Sequence, residues 1–279
     1  MPRAFLILLT VALLSPTSCA LRDRDWMPTR RLETPELSLR TALTPEATRR
    51  IADLLTRGIA AYRDLHGKTW NLPPAPPRLT VWLFADRNAF EQAGALEAPT
   101  LDLEGVTGFY AYGSRILYVG CRRGLSEEGV ATVAVHELTH ALDHQWARCV
   151  PREGPGSISP WLLEGRADYL AYRLIPPGRA QARALRRALS EGDLSSLIDC
   201  SPEAFLDKAF GNYAMSRVFT GFLLEGEGGR HAAAFRAFLK GMPGACSRKA
   251  LESSVGPIRD LEGGFRAYAE SLLADQGSP

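Results

Sequence analysis

The chain has 279 residues, 46% of them hydrophobic and 23% charged, and a formal net charge of +2. That length allows one large domain or two lobes with a sizeable core. The near-balanced charge and the lack of any nucleic-acid-binding motif give no ground for a nucleic-acid partner. The densest basic run, "GRAQARALRRAL" at 178–189, reads first as a solvated helix face, with binding of an acidic partner as the alternative.

Residues 1–20 read as an export signal. "AFLILLTVALL" is an eleven-residue apolar run, long enough for a signal core and too short to span a bilayer. Two processing routes fit. Ser18-Cys19-Ala20 resembles a signal-peptidase site, with cleavage after Ala20. Alternatively, Cys19 carries a lipid as the first residue of a lipoprotein, which would attach the chain to a membrane; "SPTSC" departs from the usual lipobox at Pro16. Both routes imply a periplasmic, cell-surface or secreted protein, so the cysteines face an oxidising setting. Without Cys19 four remain, which allow three pairings. The expected bridges are Cys121–Cys149 and Cys200–Cys246, each closing a loop within one lobe; four free thiols are the alternative.

Residues 21–43 are polar and read as a tether or lead-in. A helix starts at Thr44, with Pro45 at its first position and Ile51, Leu54, Leu55, Ile59 and Tyr62 at helical spacing. "NLPPAPP" breaks the chain. "RLTVWLFA" (78–85) reads as a buried strand and "DRNAFEQAG" as a short helix. "TGFYAYGSRILYVGC" (107–121) reads as two strands around a Gly113-Ser114 turn. The next helix is capped by Ser126, with Glu127 and Glu128 in its first turn. Its apolar side carries Val130, Ala131, Ala134, Leu138, Ala141 and Leu142. His136, Glu137, His140 and His144 lie opposite. A Gly/Pro loop follows, then a helix opening at Ser159-Pro160, and an almost wholly helical remainder beyond residue 178.

The residues with chemistry sit in "HELTH", 136–140. Histidines four apart share a helix face and can reach one ion with Zn–N bonds of about 2.0–2.1 Å. The glutamate beside the first histidine can deprotonate the attacking water. The competing reading is a polar helix face without a metal. A catalytic zinc needs a third protein ligand. His144 is excluded by geometry, because eight helical residues rise about 12 Å from His136; it reads as a rim residue. Glu164, 24 residues after His140 in "PWLLEGRADY", is the better candidate. Asp168 lies one turn further on the same face and can accept the free N–H of a ligating histidine. A pair of surface acids neutralised by Arg166 is the bland alternative.

Together, "HELTHALDHQ" and "PWLLEGRADYLA" resemble the gluzincin metallopeptidases, and in particular the peptidase-MA-like domain of exported bacterial proteins. The resemblance runs over roughly residues 75–225 and weakens after that. It implies an α+β, zincin-like fold. A mixed α/β lobe (44–150) would carry an edge strand and the active-site helix, followed by a helical lobe (151–279). It also implies one zinc ion held by His136, His140 and Glu164, with Glu137 as general base and Asp168 behind a ligand. Members of the group pair an extended peptide with the strand before the HExxH helix, here "RILYVG" or its hairpin partner. They stabilise the oxyanion with a Tyr or His, which points to Tyr213, with His231 as runner-up. The expected activity is hydrolysis of a peptide or protein substrate. The alternatives are a catalytically silent binding protein of the same fold and a zinc hydrolase of a non-peptide amide.

Overall fold

The computed structural model describes residues 26–99, 103–120, 126–147, 158–242 and 247–275. The export signal, Cys19, Cys121, Cys149 and Cys246 lie outside the described residues. The chain divides into two compact units, Met1–Leu65 with Leu72–Arg148, and His66–Asn71 with Cys149–Pro279.

Period-2 alternation builds the sheet of the first unit. Its strands are β1 (Arg30–Glu33), β2 (Leu37–Thr41), β3 (Leu79–Phe84), β4 (Gly108–Ala111) and β5 (Ile116–Gly120). They lie in the order β1-β2-β3-β5-β4. The three central strands are parallel, and β1 and β4 are antiparallel edges. One face presents Trp82, Phe84, Phe109, Ala111 and Tyr118 to Phe90 and Ala93 of α2 (Arg87–Glu97), making an aromatic core. The other face carries Leu37, Leu39, Val81, Leu83, Leu117 and Val119, all buried. It receives α3 (Glu127–Gln145) against β4 and β5.

Residues 30–41 are not the tether that the sequence suggests; they supply two strands, one of them internal. The alternation in "LSLRT" is short and ends on a polar residue, Thr41, on the buried face, while Arg40 stands on the aromatic face. Its guanidinium lies over the Trp82 ring, 5.4 Å from the centroid, so a charged residue occupies a sheet position by stacking on its neighbour.

α1 (Pro45–Trp70) is tied to α3 by two side-chain contacts. Arg50 pairs with Glu127 near their starts, and Tyr62 Oη donates to Asp143 at 2.6 Å near their ends. The expected caps at Thr44 and Ser126 form, accepting from Ala47 N and Gly129 N at 3.2 and 3.1 Å, and Asp86 adds a third, accepting from Ala89 N at 2.8 Å; Ser159 makes no side-chain cap bond.

The second unit is helical. It contains α4 (Pro160–Leu174), α5 (Arg179–Glu191), α6 (Leu194–Ile198), α7 (Pro202–Asp207), α8 (Ala209–Gly229), α9 (Ala232–Lys240), α10 (Arg248–Val255) and α11 (Ile258–Asp275). α8 is its axis, with non-helical backbone at Gly226–Gly228. Trp161 of α4 and Phe265 of α11 both pack on Phe219 of α8, at 5.1 and 5.8 Å between ring centroids. In the basic run on α5, Ala182, Ala184 and Leu185 are buried while Arg179, Arg183, Arg186 and Arg187 are exposed, as a solvated face requires. No described helix is long and apolar enough to cross a membrane. The protein is thus a mixed α/β structure with a five-stranded sheet and a helical C-terminal part.

Cys200 is a free thiol in this structure, which departs from the expected Cys200–Cys246 bridge. It is half-buried where α6 gives way to α7. Burial, partly offset by the Lys208 charge, raises its pKa. Less thiolate means a sluggish nucleophile. Cys200 is therefore expected to react with a disulfide reagent more slowly than an exposed thiol in the native protein, and to be unbridged in a non-reducing peptide map. A Cys200–Cys246 crosslinked peptide would overturn this.

Candidate metal centre

α3 is buried on nearly all sides from Val130 to Asp143, although it carries His136, Glu137, His140 and Asp143. Helical spacing brings the two histidines together. Their Nε2 atoms stand 3.1 Å apart. Two nitrogens on one tetrahedral zinc, with bonds of about 2.0–2.1 Å, lie about 3.3 Å apart, so little movement is needed to share an ion. His136, His140 and Glu164 form a buried group in which one ligand atom of each lies within 4.8 Å of the others. This group could hold a metal ion. Two imidazoles and a carboxylate form a donor set suited to zinc.

Glu137 is 2% exposed. A Cβ on Gly108 of β4 would lie 3.1 Å from Glu137 Cγ and 2.5 Å from Val133 Cγ1. The glycine in "TGFY" is thus what lets the strand lie close against the helix at Glu137.

Glu164 and Asp168 sit one turn apart on α4 and are 3% and 7% exposed. This rules out the surface-acid reading. α4 is buried all round from Trp161 to Ala171, and the pattern W-L-L-E-G has a packing reason. Trp161 anchors the helix on Phe219. At Gly165 the backbone of α8 comes so near that a Cβ would meet Ser216 O at 2.5 Å and Ser216 C at 2.8 Å. Neither atom can swing away as a side chain would. Gly165→Ala is therefore expected to destabilise the protein by about 1–3 kcal/mol despite the better helix propensity of alanine. It should also disturb Glu164 next to it. Urea denaturation together with zinc titration would check both; unchanged stability would show that the helices can part without cost.

Tyr213 lies in the second turn of α8, buried, with its ring edge-on to Phe205 at 5.3 Å. His231 precedes α9; its Nε2 is 3.2 Å from Glu227 Oε2 and its ring packs on Phe222. Neither belongs to the metal-ligand group. Of the two candidate pairing strands, "RILYVG" is β5, enclosed between β3 and β4. Its hairpin partner β4 is the edge.

His144 lies outside the ligand group, as the rise along the helix demands. Its Nδ1 is 2.8 Å from Tyr110 Oη. Burial, then the charge of Arg115, lowers its pKa. The remaining histidine, His66, is buried with its ring 4.7 Å from that of Trp70. Its pKa falls well below the ordinary value through burial, then Arg166, then Arg236. Arg166 lies over Trp70, 4.7 Å from the ring centroid. Sequence reading passed over Gly165, Tyr110 and His66. The first has a visible signal, a glycine inside an apolar helix. The second shares the strand parity of Gly108.

Compared with models of known protein families and with curated proteins, the chain matches none.

Proposed function

We propose that the protein is a zinc-dependent peptidase with a zincin-like arrangement, in which His136, His140 and Glu164 hold the ion. The observation that carries this reading is the buried convergence of those three ligands beside Glu137. His136, Glu137, His140, Glu164 and Asp168 are 0, 2, 1, 3 and 7% exposed. Each ionised group taken out of water costs several kcal/mol unless compensated. A divalent cation is one such compensation that the three ligands could share, and clusters of buried titratable groups mark functional sites.

Zinc, when bound, polarises the scissile carbonyl and acidifies the attacking water. Glu137 takes the proton of that water and delivers it to the leaving amine. Asp168 fixes the tautomer of a ligating histidine. Tyr213 is the proposed donor to the developing oxyanion. The antiparallel edge strand β4 beside α3 supports peptide binding by strand addition. Alternation from the Gly120 N–H···O Thr107 bond, 2.8 Å, leaves the backbone groups of Gly108 and Tyr110 on the open side.

One observation favours a second reading. All four residues of β4 are buried, which suits a smaller, non-peptide amide better than a long peptide. Incubating the zinc-loaded protein with a peptide mixture, and separately with small N-acyl amides, distinguishes the two. Cuts in the peptides support the first reading, and hydrolysis of the amides alone supports the second. Intact zinc with neither activity would leave a silent binding protein. The export signal, with either cleavage after Ala20 or a lipid on Cys19, belongs to the same proposal: a peptidase working outside the cytoplasm.

A further inference from the structure

The hydrogen bonds around Tyr110 fix the state of His144. Tyr110 is buried on β4. Gln145 Nε2 donates to its phenol oxygen at 3.1 Å, and His144 Nδ1 stands 2.8 Å from the same oxygen. A phenol has one proton, and a buried donor needs an acceptor. His144 Nδ1 is the acceptor in reach, so the Tyr110 hydroxyl donates to it. An imidazole whose Nδ1 accepts while neutral carries its proton on Nε2. The lowered pKa agrees with a neutral ring. Tyr110 and Tyr112 meet that ring edge-on, with centroids at 5.7 and 5.1 Å, and hold it in place. His144 is thus a half-buried N–H donor of fixed orientation, and Nε2 has no protein partner among the described residues.

Arg115 stands at the tip of the β4–β5 hairpin with a φ of 59°. It is exposed and forms no ion pair among the described residues. Its charge reaches both His144 and Tyr110. Arg115 N donates to Ala111 O at 2.8 Å, closing the turn that begins at Tyr112, and Tyr112 packs on His144; a directional N–H donor within electrostatic reach of an uncommitted guanidinium is the pairing that a carboxylate seeks.

We propose that His144 Nε2–H and the Arg115 guanidinium bind a carboxylate of the substrate. The distance from the bond under attack rests on the hydrolase reading above. Glu137 and His144 are separated by about 10 Å along α3. Gly108, which faces Glu137, and Ala111 are about 10 Å apart along β4. The bound carboxylate therefore lies two to three residues of extended chain from the scissile amide, about 7–10 Å. It is either a chain terminus or an acidic side chain.

The test observes binding rather than turnover. Acetyl-alanyl-alanine, its C-terminal amide and acetyl-aspartyl-alanine amide are titrated into the zinc-loaded protein while the ¹⁵N resonances of His144 are followed. Nε2 is expected to be the protonated nitrogen before any addition. A carboxylate probe should shift it, the alanyl amide should not, and Arg115→Gln should weaken the carboxylate response about tenfold or more. A response to acetyl-alanyl-alanine alone assigns the site to chain termini. A response to the aspartyl probe alone assigns it to acidic side chains, and a response to both supports either source. Equal shifts with the alanyl amide, no shift with either carboxylate, or a response untouched by Arg115→Gln overturns the proposal. Carboxylate binding by a protein that hydrolyses no amide would refute the hydrolase reading and leave this site standing.

Discussion

Glu137→Gln is expected to keep its zinc and its fold and to lose about 10²–10⁴-fold in turnover, the usual contribution of a general base. Glu137 is not one of the three clustered ligands, so the coordinating set survives the change. Glutamine fills the same space beside Gly108 and Val133 and can still hydrogen-bond the water. It cannot accept a proton at neutral pH. Zinc content by metal analysis, thermal unfolding and kcat on a cleaved substrate are the three measurements. A variant with full zinc that keeps more than about a tenth of the wild-type rate shows that another group takes the proton.

Glu164→Ala is expected to lower zinc affinity more than 100-fold, beyond the roughly 10–100-fold typical of residues that only support a ligand. His144→Ala should leave the stoichiometry near one ion per chain. The contrast follows from placement. Glu164 offers an oxygen within 4.8 Å of a ligand nitrogen on each histidine, whereas His144 Nδ1 is committed to Tyr110. Because the site is buried, Glu164→Gln serves as a second variant that fills the volume. Metal analysis after dialysis, with circular dichroism to verify folding, decides the matter. Zinc retained by both Glu164 variants and lost from His144→Ala would reverse the assignment.

Much of the local structure is determined by the sequence alone, because its causes act within a few residues. Ser126, Asp86 and Thr44 announce three helix starts through side chains that reach amides three residues on. His136 and His140 face one another because any α-helix places them so. For the same reason His144 could be set aside as a ligand before any coordinates.

Contacts between distant segments were decided by the tertiary structure. The spacing of 24 residues between His140 and Glu164 permits many arrangements, and a plausible ligand became a buried one only through long-range packing. Residues 30–41 look like a tether until Trp82 is in place for Arg40 to stack on. Both strands of the hairpin at 107–121 were legible, but which one forms the edge depends on β3 pairing with β5, a choice made across more than thirty residues of chain. Gly165 gains its meaning from Ser216, on another helix, and the tautomer of His144 from Tyr110, on a strand. Hydrogen-bonding and helical periodicity are short-range and can be read along the chain. Close packing and the burial of polar groups depend on which surfaces meet, and this sequence specifies those meetings only collectively.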